Sequence, residues 1–302
     1  METYATLTLA IGRLNQPVIT RYQLSMLFFQ LYRAGRIEIE TLKKKRKTAY
    51  PSETDYHHVE NGLLTLGVLQ KSSCVPSSGI FAILGKEQAS SEEIFCCIDP
   101  FSYISHMSAM EYHGLSDRIS RVLFVSSPAP KQWAGFAKER MQKDFGGVDE
   151  LQAYLDVGLP PLKRFNIRKI NRKTINRLSS IHMGAFASIK GSALRVSTLG
   201  RTFADMIREP DLCGGIRHVL DIYDEHANRY LQLIVDEVDR HGTKIDKARA
   251  GYILEEVCNL NHPTIDSWTA YAQRGGSRKL VARNEYSSDY SDRWCLSVNI
   301  DG

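Results

Sequence analysis

The sequence lacks the cysteine and histidine spacings of the common zinc sites. Its six cysteines are scattered over 302 residues, no Cys-x-x-Cys occurs, and no histidine pair completes a metal-binding pattern. This usage predicts reduced, mostly buried thiols. No apolar run approaches the roughly 18 uncharged residues of a membrane-spanning helix, and the N-terminus has no basic stretch before an apolar core. We therefore expect a cytoplasmic protein without a signal peptide or a membrane partner.

Signatures of catalysis are missing as well. No Asp or Glu is followed two positions later by Lys, the pairing that many metal-dependent nucleases use. The sequence has no Walker A loop, no Gly-x-Ser-x-Gly, no His-Glu-x-x-His and no Gly-x-Gly-x-x-Gly. An acidic cluster at 236–239 lies in a predicted helix and favours a solvated face. We expect no enzymatic activity, no cofactor and no metal; a site assembled from distant residues is the alternative.

Acidic residues are absent from 157–204, a segment with ten Lys and Arg. Residues 1–86 contain eleven Lys and Arg against six Asp and Glu. The two remaining segments, 87–156 and 205–302, are each acidic by five charges. Basic blocks that alternate with acidic ones indicate contact with a polyanion, with a solvated face as the alternative.

Three helices followed by two strands are predicted in the first 86 residues. The first helix covers 3–14, the second follows the N-cap Thr20 and ends at Gly35, and the third begins after Pro51 and Ser52. The segment 68–84 is typical of two strands joined by a Pro-Ser-Ser-Gly turn. This order predicts a winged helix-turn-helix domain over residues 1–86, with the third helix as its recognition helix and the hairpin as its wing.

The third helix and its surroundings supply the first set of candidate DNA contacts. Its polar residues are of types that reach base edges and phosphates; they are Ser52, Thr54, Tyr56, His57, His58 and Asn61. A basic run precedes the helix, where phosphate contacts help to set the register on DNA; it consists of Lys43, Lys44, Lys45, Arg46 and Lys47, and Lys71 adds a charge on the wing. The alternative is a three-helix scaffold that contacts protein.

A linker and a larger domain are predicted after the winged helix. Residues 87–97 are first polar and then apolar, which is typical of a linker that enters a strand, and the second domain covers 98–302. Strand candidates lie at 121–127, 163–175 and 194–200, and the pattern becomes helical from Thr198 onward. The tail after 262 is polar and contains one predicted hairpin, between 280–283 and 295–300. The expected fold class is α+β, an N-terminal winged helix followed by a C-terminal α/β domain.

The second basic block alternates basic and apolar residues, as in a sheet that is exposed on one face. The apolar members are Phe165, Ile167 and Ile170. The basic members are Lys163, Arg164, Arg168, Lys169, Arg172, Lys173 and Arg177. They either lie on DNA phosphates or meet the acidic helices at 221–239, and the excess of positive charge favours DNA.

Two clusters in the second domain have structural interpretations. Arg201 and Asp205 lie four apart in a predicted helix, and we expect an ion pair rather than a ligand site. His106 and His113 lie on one helix with no third ligand nearby, which argues against a metal site.

Three stretches of the second domain occur in an order that resembles a known family. The first contains Pro100, Tyr103, Ile104, Ser105, Ser108, Ala109, Met110, His113, Gly114 and Leu115. The second contains Val196, Ser197, Thr198, Arg201, Thr202, Phe203, Asp205, Met206 and Ile207, followed by Pro210, Gly214 and Gly215. The third is the run from Lys247 to Glu255. Behind a winged helix, they resemble the AbiEi family, the antitoxins and transcriptional autorepressors of bacterial type IV toxin–antitoxin systems.

The resemblance implies a function in gene regulation and phage defence. Such a protein binds inverted repeats in promoter DNA, represses its own operon and counteracts a cognate nucleotidyltransferase-like toxin, often without a stable complex between the two. The segment 36–51 and the tail after 260 have no counterpart in the family pattern. A nucleic-acid-processing enzyme delivered by the winged helix, or a protein-interaction module, are the alternatives.

Overall fold

The computed structural model describes residues 2–37, 40–41, 48–75, 77–86, 88–179, 183, 185–273 and 278–300. It contains both α-helices and β-strands, which confirms the expected mixture of α and β structure. No helix within these ranges is long and apolar enough to cross a membrane.

Helices and strands alternate over most of the described chain. The helices are α1 (Glu2–Arg13), α2 (Arg21–Ala34), α3 (Glu53–Thr65), α4 (Ser91–Ile98), α5 (His106–Tyr112), α6 (Pro130–Asp144), α7 (Val148–Asp156), α8 (Leu199–Arg208), α9 (Ile216–His241), α10 (Lys244–Gly251) and α11 (Pro263–Trp268). Short 3₁₀ helices cover Pro210–Cys213 and Thr269–Tyr271, and a π-helix covers Tyr252–Val257. The strands are β1 (Val18–Thr20), β2 (Arg36–Ile37), β3 (Glu40–Thr41), β4 (Leu69–Lys71), β5 (Ile80–Ile83), β6 (Tyr103–Ile104), β7 (Val122–Ser127), β8 (Lys169–Ile170), β9 (Lys173–Ser179), β10 (Phe186–Ser188), β11 (Arg195–Ser197), β12 (Tyr290–Ser291) and β13 (Leu296–Ser297).

The chain folds into two compact units whose segments alternate along the sequence. The first unit consists of Met1–Ser102, Ser127–Ile181 and Ser188–Arg195. The second consists of Tyr103–Ser126, His182–Ala187 and Val196–Gly302. The domain boundary predicted at residues 86–98 therefore does not coincide with the division between the compact units.

The first unit begins with three helices and a small antiparallel sheet. Strand β5 lies between β1 and β4, with Val18 opposite Ala82 and Leu69 opposite Ile83. The three predicted helices and the predicted hairpin are confirmed as elements. Strand β1 was not predicted, because three residues behind Pro17 are too few to show an alternating pattern.

Side-chain caps set the starts of α2 and α3. Thr20 Oγ1 accepts a hydrogen bond from the Gln23 N–H, and Ser52 Oγ accepts one from the Asp55 N–H; each closes a capping box. Gly35 ends α2 in the left-handed conformation, at φ 67°. Both helices therefore begin where the sequence predicts.

A hydrophobic core joins α7 to the N-terminal helices. Phe28 and Tyr56 are buried in it, and so is Tyr154 of α7. The Tyr154 hydroxyl is hydrogen-bonded to Ser25 Oγ at 2.5 Å and donates to the Pro160 carbonyl at 2.6 Å. Residues 148–160, which the sequence assigns to a separate domain, thus complete the core beneath α2 and α3.

The linker predicted at 87–97 is wrong in its second half, where the chain forms α4. Ser90 Oγ accepts a hydrogen bond from the Glu93 N–H at 3.1 Å, as an N-cap does. Phe95 and its apolar neighbours are buried. At the other end, the Arg195 guanidinium donates to the Cys96 carbonyl at 2.8 Å, which stabilises the helix C-terminus. An eight-residue segment that is apolar only from Ile94 onward is too short for its period to distinguish a helix from a strand.

The second unit combines short strands with packed helices. Strand β6 pairs in parallel with β11, at Ile104 and Val196, and antiparallel with β7, at Ile104 and Val125. Helix α9 continues for 26 residues with a kink at Tyr230, whose backbone angles are not helical. The helical pattern predicted from Thr198 onward is confirmed by α8, which begins at Leu199.

Two glutamates of the π-helix accept hydrogen bonds from the C-terminal tail. Glu255 accepts a hydrogen bond from Trp294 Nε1 at 2.9 Å, and Glu256 accepts one from Ser291 Oγ at 2.7 Å. The tail hairpin consists of β12 and β13, so the prediction of a strand at 280–283 is wrong. These anchors make the tail part of the folded unit.

Gly251 is expected to tolerate no side chain, because it lies against the buried Trp294 ring. A Cβ at this position would be 2.2 Å from Trp294 Cη2. We expect Gly251→Ala to lower the free energy of unfolding by roughly 1–3 kcal/mol through overpacking. Gly135→Ala is the matched control, because nothing lies within 4 Å of a Cβ at that position in α6. Denaturant titration compares the two variants, and equal stabilities would contradict the prediction.

Candidate nucleic-acid interface

The exposed face of α3 carries four of the six contact residues predicted on this helix. Thr54, His57, His58 and Asn61 are exposed, and residues three or four apart share one face of a helix. His57 Nε2 also lies 3.5 Å from the Glu53 carboxylate. Their side chains are of types that hydrogen-bond to base edges or phosphates. Helix α3 therefore presents a polar strip about two turns long.

Tyr56 is not part of this strip, and its prediction as a DNA contact is wrong. Its side chain is fully buried, and its hydroxyl donates to Glu60 Oε2 at 2.6 Å. Burial, together with the Glu60 carboxylate, raises the pKa of Tyr56, so the hydroxyl keeps its proton as a donor. Tyr56 lies three residues before Val59 and seven before Leu63, which are also buried. That spacing is the signal that places it in the core.

Ser52 has its hydroxyl engaged at the start of the helix. Its Oγ accepts from the Asp55 N–H at 3.1 Å, and its hydroxyl donates to Asp55 Oδ2 at 2.7 Å. These bonds fix the first turn of α3. The geometry gives Ser52 the role of a cap, which positions the strip that follows.

A partly buried ion pair fastens α3 to the start of α2. Arg21 Nε and Nη2 donate to the two carboxylate oxygens of Glu60 at 2.9 and 2.6 Å. The hydrogen bonds that Arg21 donates to Glu60 raise the pKa of Arg21. The Glu60 residue is 4% exposed, whereas the Arg21 side chain is 36% exposed. The network of Tyr56, Glu60 and Arg21 therefore runs from the core to the surface. The sequence gives no sign of this pair, because its members are 39 residues apart.

An open apolar groove of about 970 Å³ flanks the polar strip. It lies between α1 and α3, and His58 and Asn61 line it together with Tyr4. Leu9 and Leu66 are 51% and 61% exposed at this groove. His58 and Asn61 therefore lie where the polar strip meets an apolar surface.

Of the basic residues predicted as DNA contacts near α3, the structure describes only Lys71. Lys43, Lys44, Lys45, Arg46 and Lys47 lie outside the described residues. Lys71 is exposed at the end of β4, opposite Phe81 of β5. It therefore lies at the start of the loop that joins these two strands.

Three of the seven cations predicted in the second basic block face inward. Arg164 Nη2 donates to Ser127 Oγ at 2.9 Å. Lys173 Nζ donates to Glu92 Oε1 at 2.8 Å, and Arg177 Nη2 donates to the Phe165 carbonyl at 3.2 Å. Arg177 also lies 3.8 Å from the Asp99 carboxylate, and burial lowers the pKa of Arg177. Lys173 and Arg177 are 23% and 17% exposed and Arg164 is partly buried. Their donors are engaged within the fold, so the structure does not support their prediction as DNA contacts.

The other four cations of the block point to solvent. Lys163, Arg168, Lys169 and Arg172 are exposed, and Lys163 Nζ lies 5.4 Å from the centre of the Phe165 ring. No carboxylate in the described parts of the chain forms an ion pair with Arg168, Lys169 or Arg172. Alternation in the sequence does not reveal this division, since inward and outward cations follow no strict period of two.

A small cavity of about 240 Å³ lies beside the start of α2. Its polar end is formed by Tyr22, whose hydroxyl donates to Asp144 Oδ2 at 2.8 Å, and by Arg140, whose Nε donates to Asp144 Oδ1 at 2.8 Å. Burial and this carboxylate raise the pKa of Tyr22. The polar groups thus satisfy one another.

The described residues contain no group of three His, Cys, Asp or Glu side chains that could hold a metal ion. His113 Nε2 bonds to the Ser197 carbonyl at 2.7 Å, whereas His106 Nδ1 bonds to Ser105 Oγ at 2.8 Å. Burial lowers the pKa of both imidazoles. Each histidine therefore has a separate structural partner.

The predicted ion pair in α8 is confirmed. Arg201 Nε lies 2.6 Å from Asp205 Oδ1, and the two side chains are only 4% and 3% exposed. The pair is much more deeply buried than the surface pair that the four-residue spacing suggests.

No protein-family model matches the chain, and no curated protein sequence matches it. Among solved structures, the chain is similar to the crystal structure of the RV2827C protein from Mycobacterium tuberculosis, with a TM-score of 0.47 and 12% sequence identity. The similarity covers 97% of this chain and 90% of that chain.

Proposed function

We propose that this protein binds operator DNA through a winged helix in its first 86 residues. The order α1, β1, α2, β2, β3, α3, β4, β5, in which β2 and β3 form a separate two-stranded pair, and the sheet order β1-β5-β4 support this assignment. In a winged helix the third helix enters the major groove, and here α3 is capped at Ser52 and fastened by Glu60. The observation that carries the proposal is the exposed polar strip of Thr54, His57, His58 and Asn61 on that helix.

We further propose that DNA binding represses the protein's own operon and that the protein is an antitoxin of the AbiEi type. The order of motifs between 100 and 255 supports this proposal through its resemblance to that family. The implied partners are inverted repeats in promoter DNA and a nucleotidyltransferase-like toxin, which is counteracted with or without direct contact. A cytoplasmic location and a role in phage defence belong to the same proposal.

Gel-shift titration on duplexes tiled across the region upstream of the gene tests the DNA-binding proposal. We expect one inverted repeat to be retained at moderate salt, and a duplex of the same composition with the repeat scrambled to bind more weakly by about 10³-fold or more. Equal binding to both duplexes, or no binding, contradicts the repressor. Metal-dependent degradation of the DNA would favour the enzyme alternative instead.

Co-expression tests the antitoxin proposal separately. We expect a toxic nucleotidyltransferase-like gene next to this one, and growth that recovers when this protein is co-expressed. Recovery should persist when the operator is deleted, because counteraction of the toxin then cannot come from repression. Growth arrest that co-expression does not relieve contradicts the antitoxin while leaving DNA binding intact.

A further inference from the structure

The turn between β8 and β9 is attached to the loop between β4 and β5. The Asn171 N–H donates to the Cys74 carbonyl at 3.0 Å. Asn171 has a φ of 51°, the left-handed conformation that asparagine tolerates better than most residues. Its Nδ2 donates to Ser91 Oγ at 3.2 Å, and Ser91 Oγ donates to the Ile170 carbonyl at 3.4 Å. One residue thus joins the turn to two other elements, although it lies almost a hundred positions after Cys74.

Hydrogen bonds and ion pairs to the residues beneath it fix the base of the same hairpin. Lys173 binds Glu92 of α4, and Arg177 donates to the Phe165 carbonyl and lies near Asp99. These contacts pair the carboxylates of Glu92 and Asp99 with partly buried cations. The hairpin is therefore fixed at its turn and at its base, and the charges that remain on it are positive.

Arg168, Lys169 and Arg172 are the exposed cations of this hairpin, and we call residues 168–172 the basic turn. Lys71 is exposed three residues before Cys74. Three residues span at most about 11 Å of extended chain, so Lys71 lies close to the point where Asn171 is attached. Duplex DNA carries about one negative charge per 1.7 Å of its axis, and a surface of this length faces several phosphates.

We propose that the basic turn extends the wing and binds phosphates of duplex DNA beside the base pairs that α3 reads, with Asn171 as the positioning residue. This inference rests on the proposed function, because it places the basic turn next to a wing. The two basic blocks, separated by an acidic segment in the sequence, meet at the contact between Asn171 and Cys74. The bound DNA site is accordingly longer than a single recognition helix needs.

The salt dependence of operator binding tests the charges. In the triple variant Arg168→Gln, Lys169→Gln, Arg172→Gln, we expect the slope of log K against log salt to fall by about 2 to 3, since each lost phosphate contact removes about 0.9. Affinity near 0.1 M salt should fall about 10- to 100-fold, equally for operator and scrambled duplexes. The matched control is Lys131→Gln, Lys138→Gln, Lys143→Gln, which removes the same charge from exposed positions of α6. We expect its slope to stay close to that of the wild type.

Variants of Asn171 test the positioning without any change in charge. Asn171→Ala strains the left-handed backbone, and we expect operator affinity to fall about 3- to 10-fold together with a smaller salt slope. Asn171→Gly adopts this backbone readily and keeps the N–H for Cys74. It should therefore restore most of the affinity and the slope. A merely destabilised fold would lower the fraction of active protein in Asn171→Ala without changing the salt slope.

The outcomes separate this inference from the function on which it depends. If the wild-type protein binds the operator and the salt slope of the triple variant is unchanged, the basic turn does not bind phosphates and the repressor proposal still stands. Wild-type protein that binds no duplex overturns both. A triple variant that loses binding to RNA of the same sequence but keeps its binding to DNA also overturns the inference. Parallel losses in the triple variant and Asn171→Ala, with recovery in Asn171→Gly, support it.

Discussion

Arg201→Met is expected to lower the free energy of unfolding by roughly 3–5 kcal/mol. The Arg201 guanidinium and the Asp205 carboxylate are 2.6 Å apart and almost completely buried. Burial alone would lower the pKa of Arg201, but the Asp205 carboxylate raises it above its ordinary value. Without the cation, the Asp205 charge stays in the interior, and its Oδ2 already has no hydrogen-bond partner among the described residues. Denaturant titration, followed by far-ultraviolet circular dichroism, measures the loss.

The double variant Arg201→Met, Asp205→Leu is the control for this prediction. Replacing both members with apolar side chains removes the uncompensated charge, and such replacements of buried pairs are often neutral. We expect the double variant to be more stable than Arg201→Met, with a coupling energy of roughly 1–3 kcal/mol. A cost below about 1 kcal/mol for Arg201→Met would mean that the pair is hydrated and contributes like a surface pair.

His58→Ala and Asn61→Ala are expected to relax the sequence preference of DNA binding. A bidentate or otherwise well-formed base contact discriminates by about 1–3 kcal/mol, or about 5- to 150-fold. Because both side chains lie on the polar strip of α3, we expect each variant to lose discrimination at a few neighbouring base pairs. Competition between the operator and its single-base variants measures this loss. Affinity for a scrambled duplex should change little, since phosphate contacts carry that binding.

Gln132→Ala, on an exposed position of α6, is the matched control for the two α3 variants. It should leave both affinity and preference as in the wild type. An unchanged base preference in both His58→Ala and Asn61→Ala contradicts the assignment of α3 as the reading helix. It would leave the charge-dependent binding by the basic turn as a separate question.

Local signals in the sequence predict the elements of this fold better than their grouping. Thr20 and Ser52 start helices because their side chains bond to the backbone three residues later, which is a property of a few neighbouring residues. Gly35 ends α2 for an equally local reason. The three N-terminal helices, the hairpin and α8 could therefore be predicted from the sequence.

The grouping of elements depends on contacts between distant residues, which no local pattern encodes. Tyr154 lies in the core of α2 and α3 although more than a hundred residues separate it from Ser25. The short helix α4 resembles a linker because its first turn consists of polar capping residues. The sequence therefore predicts a domain boundary near residue 86, because neither the contact of Tyr154 with Ser25 nor the helix α4 has a local signal.

The residues of the candidate site likewise divide into those that helical spacing predicts and those whose placement depends on distant contacts. The exposed strip on α3 follows from helical spacing, and the same spacing, applied to Tyr56, Val59 and Leu63, places Tyr56 inside. Which cations of the second block face inward depends on Glu92 and Asp99, which lie some 80 residues earlier. The contact between Asn171 and Cys74 has no sequence signal at all.

A ribosome makes the three N-terminal helices long before it makes the residues that complete their core. Ser25 and its hydrogen-bond partner Tyr154 are 129 residues apart, an interval of roughly 6–26 s at 5–20 residues per second. During that time Phe28 and Tyr56 belong to a core that still lacks α7. The proposed DNA-reading part is thus translated well before its core can be completed. A nascent chain could engage its own operator only after synthesis has passed α7.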